Sequence, residues 1–217
     1  MARFMAQRQE IADMCRAFAD EGYFAGTGGN IGVRVGDRLM AVTPSATGYY
    51  SVRAQDVSIL DIETLEIVQG DKPPTIEKAL HGRMLSMHPT RHASVHTHQP
   101  IASAVALLHE TLPWPEGSDL GTLGPHVGLI PYKPSGTGML ARAFAKALRP
   151  DVFAYLLASH GVICTGVDLK AAAGMVRMIE AAAAIHLRDR IQRRVNLDRH
   201  LQALVLSVLE KAGSKGA

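Results

Sequence analysis

Two histidines one residue apart, His96-Thr97-His98, end a short apolar stretch that reads as a strand, Ala93–Thr97. Side chains at i and i+2 of a strand leave the same face, so both imidazoles can converge on one ion. Zinc and similar divalent ions take three or four N, O or S ligands, and a catalytic site keeps a position open. A further ligand must come from elsewhere in the chain. The best candidate is His160 in Ala158-Ser159-His160-Gly161, at the exit of an apolar strand, with Gly161 expected to let the backbone turn sharply after the ligand. A His-x-His pair in a chain with ten histidines does not by itself define a metal site. Only the combination of His96, His98 and His160 with a suitably placed carboxylate raises a metal role above coincidence. His81, His88, His92, His109, His186 and His200 read as surface, helix or core residues, and His126, in the loop-to-strand region, as a candidate to support a ligand from behind.

Those side chains need elements to hold them. Residues 3–21 read as an amphipathic helix, with Phe4, Ile11, Met14, Cys15 and Phe18 near helical spacing and Gly22 as its stop. After the turn Gly26-Thr27-Gly28-Gly29-Asn30, the stretches Ile31–Val35 and Leu39–Thr43 flank Gly36-Asp37 and predict a hairpin. Val57–Ile62 and Leu65–Val68 predict a second strand pair. Pro73-Pro74 breaks the chain, and Thr75 is an N-cap candidate for a helix to about Met87. Ile101–His109 reads as a helix and 110–125 as a long loop. Val127–Tyr132 reads as a strand and Gly138–Leu148 as a helix. Phe153–Ala158 and Val162–Thr165 are apolar strands, Asp168 caps an Ala-rich helix to about Arg193, and a terminal helix carries Leu201, Leu204, Val205 and Val208. Helices alternate with strands, but the hairpins argue against a purely parallel sheet; a mixed sheet covered by helices is expected.

Bulk properties exclude several classes. The chain has 217 residues, long enough for one domain spanning 1–217 with a full core. Its formal charge is only +3, and the stretch with Arg188, Arg190, Arg193 and Arg194 is interleaved with acids, which predicts a solvated helix face and no nucleic-acid partner. Two cysteines without CxxC spacing suit a reducing cytoplasm. The N-terminus lacks the continuous apolar core of a signal peptide. No apolar run approaches the ~20 residues of a membrane span.

Taken in order, Gly26-Thr27-Gly28-Gly29-Asn30, Thr43-Pro44-Ser45, Glu77, Val95-His96-Thr97-His98, Pro131-Tyr132 with Gly136-Thr137, and Ser159-His160-Gly161 resemble the class II aldolase/adducin-head family, in its fuculose-phosphate aldolase-like branch. The match runs from about residue 5 to 195. The resemblance implies an α/β fold, a three-layer α/β/α sandwich with a mixed, largely antiparallel central sheet. It implies one divalent ion per subunit, Zn2+ by expectation with Mn2+ as an alternative, on His96, His98 and His160. It also implies a homotetramer with active sites at subunit boundaries. A glutamate at the place of Glu77, where the family's epimerases carry aspartate, favours the lyase branch and casts Glu77 as acid/base in the first turn of its helix. On position alone Glu77 reads equally as an acid that complements the helix dipole.

The resemblance further implies an anion pocket from Thr27–Asn30 and Thr43-Pro44-Ser45, gripping a ketose phosphate through backbone N–H groups, an Asn and hydroxyls. The positions carried over are Thr27, Gly29, Asn30, Ser45, Ala46 and Thr75; on residues alone the glycine cluster reads as a turn. Two departures weaken the pocket: Ser45-Ala46 stands where the aldolases have Thr-Gly, and Thr75-Ile76-Glu77 where they have Ser-Ser-Glu, so Ile76 removes one donor. A related group places a catalytic tyrosine in the segment after the His-x-His helix, where this chain has Trp114, Glu116 and Asp119. Tyr132 reads as a strand aromatic, and the proton donor stays unassigned. The expected activity is metal-dependent aldol cleavage of a phosphorylated, sugar-derived ketose, an aldehyde-lyase reaction. The alternatives are a decarboxylase of a β-keto or hydroxy acid on the same fold and a non-catalytic adducin-like binding module.

Overall fold

In a computed structural model the structure describes residues 3–26, 28–194 and 198–213. Eight strands form one sheet in the order β4-β3-β2-β1-β5-β8-β7-β6. They are β1 (Asn30–Arg34), β2 (Leu39–Val42), β3 (Ser58–Asp61), β4 (Ile67–Gln69), β5 (Ala93–Thr97), β6 (Gly128–Ile130), β7 (Ala154–Leu157) and β8 (Gly161–Gly166). Only β6 and β7 run parallel; every other neighbouring pair is antiparallel. The mixed sheet expected from the hairpins is therefore present, and it is largely antiparallel as the resemblance implies.

Helices cover both faces, and the period-2 alternation of the strands decides which side chain meets which helix. On one face Ile31, Val33, Val95, Leu156, Val162 and Cys164 pack against α1 (Met5–Asp20), α3 (Pro100–Ala106) and α6 (Leu169–Gln192). The alternate residues Tyr155, Leu157 and Ile163 pack against α2 (Lys78–Met87) and α5 (Gly138–Ala147). Met40, Val42 and Leu60 meet Leu85 of α2 on that same side. Each fully buried aliphatic of this kind contributes roughly 1.5–3 kcal/mol by leaving water. In α1 the buried stripe is Ile11, Cys15 and Phe18, and Gly22, at φ 74, ends the helical path. Asp168 caps α6 as expected, accepting from the Ala171 N–H at 2.6 Å.

Several expectations need correction. The helix after Pro74 starts at Lys78, so Glu77 is its N-cap residue and lies outside the first turn. Thr75 instead accepts the Glu77 N–H at 3.3 Å in the turn before it. Segment 110–125 is not bare loop: α4 (Leu120–Leu123) forms in it, capped by Asp119, and Trp114 is buried. β6 stops at Ile130, leaving Tyr132 exposed beyond the strand. In α7 (Arg199–Gly213) the residues Leu201, Leu204, Val205 and Val208 stay exposed, while Leu209 and Ala212 make the inward contact. The arginine-rich end of α6 is a solvated face, with Arg190 paired to Glu110 at 2.6 Å. No helix among the described residues is long and apolar enough to cross a membrane.

Candidate metal centre

Strand register assembles the site. β5 directs Ser94 and His96 toward the α2 side, since Ala93 and Val95 are committed to the opposite core. In that register His96 lies across from Asn30 on β1 and from Ile163 on β8. His98 follows one residue past the strand, its N–H held by the Tyr23 carbonyl at 3.1 Å. His160 arrives in the tight turn between β7 and β8. The sharp bend of that turn falls on Ser159, at φ 54, rather than on Gly161. Gly161 is needed for a different reason: a Cβ there would sit 2.5 Å from the Thr97 carbonyl oxygen and 2.7 Å from the His98 ring. Gly28 makes the same close approach from the other side, 2.3 Å from His98 Nδ1 to the place of a Cβ.

The three imidazoles gather with centroids 4.8 to 5.0 Å apart, and one ligand atom from each lies within 4.8 Å of the others. Glu77 faces them, with Oε2 3.2 Å from His96 Nε2 and Oε1 3.4 Å from His160 Nε2. His96 Nδ1 lies 2.7 Å from the Val162 carbonyl, which only accepts, so Nδ1 carries the proton. Burial pushes the His96 imidazole down to about 4, so at neutral pH its Nε2 is a bare lone pair. That lone pair points at His98 Nε2, 3.0 Å away, and at a carboxylate oxygen. The imidazole lone pair and the carboxylate oxygen, two acceptors aimed at each other 3.2 Å apart in a buried place, call for a cation between them. The donor set of three imidazoles and a carboxylate fits a divalent ion of the zinc type.

Glu77 is 6% exposed. Burial raises its pKa, but His96, the donors Asn30 and Ser135, and His160 together hold it below the usual carboxylate range. Asn30 Nδ2 donates to Oε2 at 2.9 Å and the Ser135 hydroxyl to Oε1 at 2.8 Å.

A cavity of about 260 Å3 opens beside this group, lined in part by Asn30, Ser45, Ala46, Thr75, His98 and His160. Gly29 also borders it, while Thr27 lies outside the described residues. Several backbone donors of the expected anion pocket are already engaged. The Gly29 N–H goes to the Tyr49 hydroxyl at 2.7 Å, Ser45 N–H to the Pro73 carbonyl at 2.8 Å, and Thr75 N–H to the Thr43 carbonyl at 2.9 Å. Ile76 is 65% exposed, and its side chain offers no donor. Ala46 has φ 48, a conformation that favours glycine, at the place where the resemblance expects one.

Sequence reasoning overlooked three contributors. Ser135 lies in an irregular loop whose spacing gave no signal. Tyr49 both accepts from and donates to Gly29. His81 is fully buried behind Asn30; its place four residues after Glu77, on one helical face, was the signal that could have found it. His126 does not belong to the histidine group.

A mixed sheet between two helical layers, with three histidines gathered at the ends of its central strands, defines a class II aldolase-type architecture. Residues 9–187 match the Class II Aldolase and Adducin N-terminal domain family, and the chain belongs to that family. It is 32% identical over 185 residues to 5-deoxy-D-ribulose 1-phosphate aldolase of Bacillus thuringiensis serovar kurstaki, covering 85% of each chain. It is 31% identical to 3-oxo-tetronate 4-phosphate decarboxylase of Haemophilus influenzae, covering 83% of this chain and 87% of that one. The solved structure of an L-fuculose 1-phosphate aldolase superposes with a TM-score of 0.79 at 28% identity, over 97% of this chain and 98% of that one.

Proposed function

We propose that this chain is a divalent-metal-dependent aldolase that cleaves a phosphorylated, sugar-derived ketose. One observation carries the reading: three imidazoles and the Glu77 carboxylate converge on one point at the edge of a polar cavity. His96, His98 and His160 would hold the ion, and when bound it supplies Lewis-acid polarisation of the substrate carbonyl and offsets the negative charge that develops there. Glu77 moves the proton on the carbon next to that carbonyl, returning it in cleavage and removing it in condensation. Asn30 and Ser135 hold the carboxylate in place while it is ionised. Ser45, Ala46 and Thr75, with Gly29, would receive the phosphate end; the Gly29, Ser45 and Thr75 N–H groups are engaged elsewhere, so Ser45 and Thr75 would donate through their hydroxyls. Aldol cleavage also requires a base for the hydroxyl proton of the departing aldehyde, and no residue above fills that role.

That gap and the decarboxylase relative favour a second reading, decarboxylation of a phosphorylated β-keto acid, since loss of carbon dioxide needs no such base. The adducin-like module that does no chemistry is the least supported reading, because a binding head has no use for a complete ligand set beside an ionised glutamate. We further propose zinc as the ion and a homotetramer as the assembly. A reducing cytoplasm suits the two buried free thiols Cys15 and Cys164. The deciding experiment loads the protein with Zn2+ or Mn2+ and offers ketose 1-phosphates and phosphorylated β-keto acids. Release of an aldehyde with a three-carbon ketone phosphate supports the first reading. Carbon dioxide release replaces it with the second, and no turnover of either class refutes both.

A further inference from the structure

We propose that His81 is a positioning residue, one that holds the Asn30 amide in the single orientation in which it steadies the Glu77 carboxylate. The inference deepens the proposed function and rests on its assignment of Glu77 as the acid/base. A chain of hydrogen bonds runs from Ser94 on β5 through α2 to β1 and back to the head of α2. Ser94 Oγ lies 2.9 Å from His81 Nδ1, and His81 Nε2 lies 2.6 Å from Asn30 Oδ1. Asn30 Nδ2 then donates to Glu77 Oε2 at 2.9 Å. Ser94 and His81 are wholly buried, and Asn30 and Glu77 nearly so.

For a neutral ring the hydrogen bonds allow one proton arrangement. An ionised carboxylate only accepts, so the amide must present its NH2 to Glu77. That turns Oδ1 toward His81, and an amide oxygen only accepts, so His81 Nε2 must carry hydrogen. A neutral ring then has a bare Nδ1, which takes the Ser94 hydroxyl. Burial keeps the ring neutral, pushing its pKa down to about 3 against the opposing pull of the Glu77 carboxylate.

Without the donor at His81, nothing on that side distinguishes the oxygen of Asn30 from its nitrogen. A rotated amide would set its oxygen against Glu77, repelling the ionised form and loosening the carboxylate from its place opposite His96. Groups that orient the residues of a metal site from behind are commonly worth on the order of 10–100-fold in activity or affinity. The simpler alternative is that His81 only fills space: it packs so close to β1 that a Cβ at Gly32 would lie 2.8 Å from the His81 Cβ. A filler has no preferred tautomer and no need of a donor at Nε2.

Two measurements separate the possibilities. In the first, 15N-histidine NMR on the metal-free wild-type protein reads the ring directly. The expected result is a neutral Nε2–H tautomer at position 81, with a slowly exchanging proton, from pH 8 down to the lowest pH at which the fold persists. An Nδ1–H tautomer or an imidazolium near neutral pH overturns the proposal. The second compares His81→Leu, His81→Gln and Ser94→Ala with Glu77→Gln, each checked for folding by circular dichroism and for metal content. His81→Leu is expected to lower kcat on the order of 10–100-fold at nearly constant KM. His81→Gln, whose amide can still donate to Asn30 and accept from Ser94, recovers most of the loss, and Ser94→Ala shows a smaller defect. Equal activity of folded Leu and Gln variants overturns the proposal. So does a fully active His81→Leu beside an inactive Glu77→Gln, and that result leaves the proposed function standing. A fully active Glu77→Gln removes the acid/base assignment itself, and the role of His81 falls with it.

Discussion

Glu77 and Glu180 are buried to nearly the same depth, 6% and 7% exposed, yet their surroundings differ. Glu180 accepts the N–H groups of Ile101 and Ala102 at 2.8 Å each, at the start of α3. It satisfies donors that a helix leaves open and favours the dipole there. Burial raises its pKa, and those two backbone bonds pull it back only in part. Glu77 is held by side chains instead, Asn30 and Ser135, and turns its oxygens toward two imidazoles at the edge of a cavity. Its pKa is lowered although it too is buried. The dipole-complementing acid that Glu77 could have been on position alone exists in this protein, on α6. Burial by itself does not mark a functional carboxylate; adjustable side-chain donors and facing acceptors do.

The comparison breaks most sharply at Glu77. Glu77→Gln is expected to lower kcat by roughly two to four orders of magnitude, with metal stoichiometry largely retained. Single-turnover kinetics with elemental analysis reads both, and near-normal turnover would make Glu77 no different from Glu180. Glu180→Ala should do the converse. Leaving two N–H groups without their acceptor is expected to cost about 2–3 kcal/mol of stability in urea unfolding, with turnover per folded molecule unchanged. A large loss of kcat in the folded fraction would erase the distinction.

A pH titration of the metal-free protein sharpens it further. Burial lowers the pKa of His81, His96, His98 and His160 from 6.5 in the folded state. Below that value the unfolded chain binds more protons than the native one. The stability these rings allow is therefore full above about pH 6.5 and is lost as pH falls through their lower folded values. Glu180, whose folded pKa is raised, contributes with the opposite sign, its stabilisation growing on acidification. Thermal melts from pH 8 to 4 should show a net fall, and a flat profile would mean the imidazoles are not held neutral. The smallest effect belongs to the cavity rim. Ala46→Gly relieves a left-handed alanine at φ 48 but loosens the unfolded chain, for a net gain of at most about 1 kcal/mol in a chemical melt.

The ligands were legible because a strand's period places His96 and His98 together and because His160 follows an apolar strand directly. The sheet was legible from short apolar stretches, the first pair of them flanking the Gly36-Asp37 turn. The start of α2 was not, since the Thr75 hydroxyl bonds the N–H two residues on as readily as it would cap a helix. Ser135 was hidden because its contact with Glu77 spans 58 residues and depends on how a loop folds back over the site. His81 carried a local signal, but its partner Asn30 is 51 residues away, and only the tertiary fold shows them in contact. The exposed face of α7 shows the limit of periodicity: an apolar stripe records a preference and does not say what covers it.

Anomalous diffraction from crystals grown with Zn2+ and collected at the zinc edge tests the metal centre most directly. The expected result is one strong peak about 2.0–2.1 Å from Nε2 of His96, His98 and His160, beside Glu77. A peak elsewhere, or none at these imidazoles in a preparation that turns over its substrate, would contradict a catalytic ion at this place.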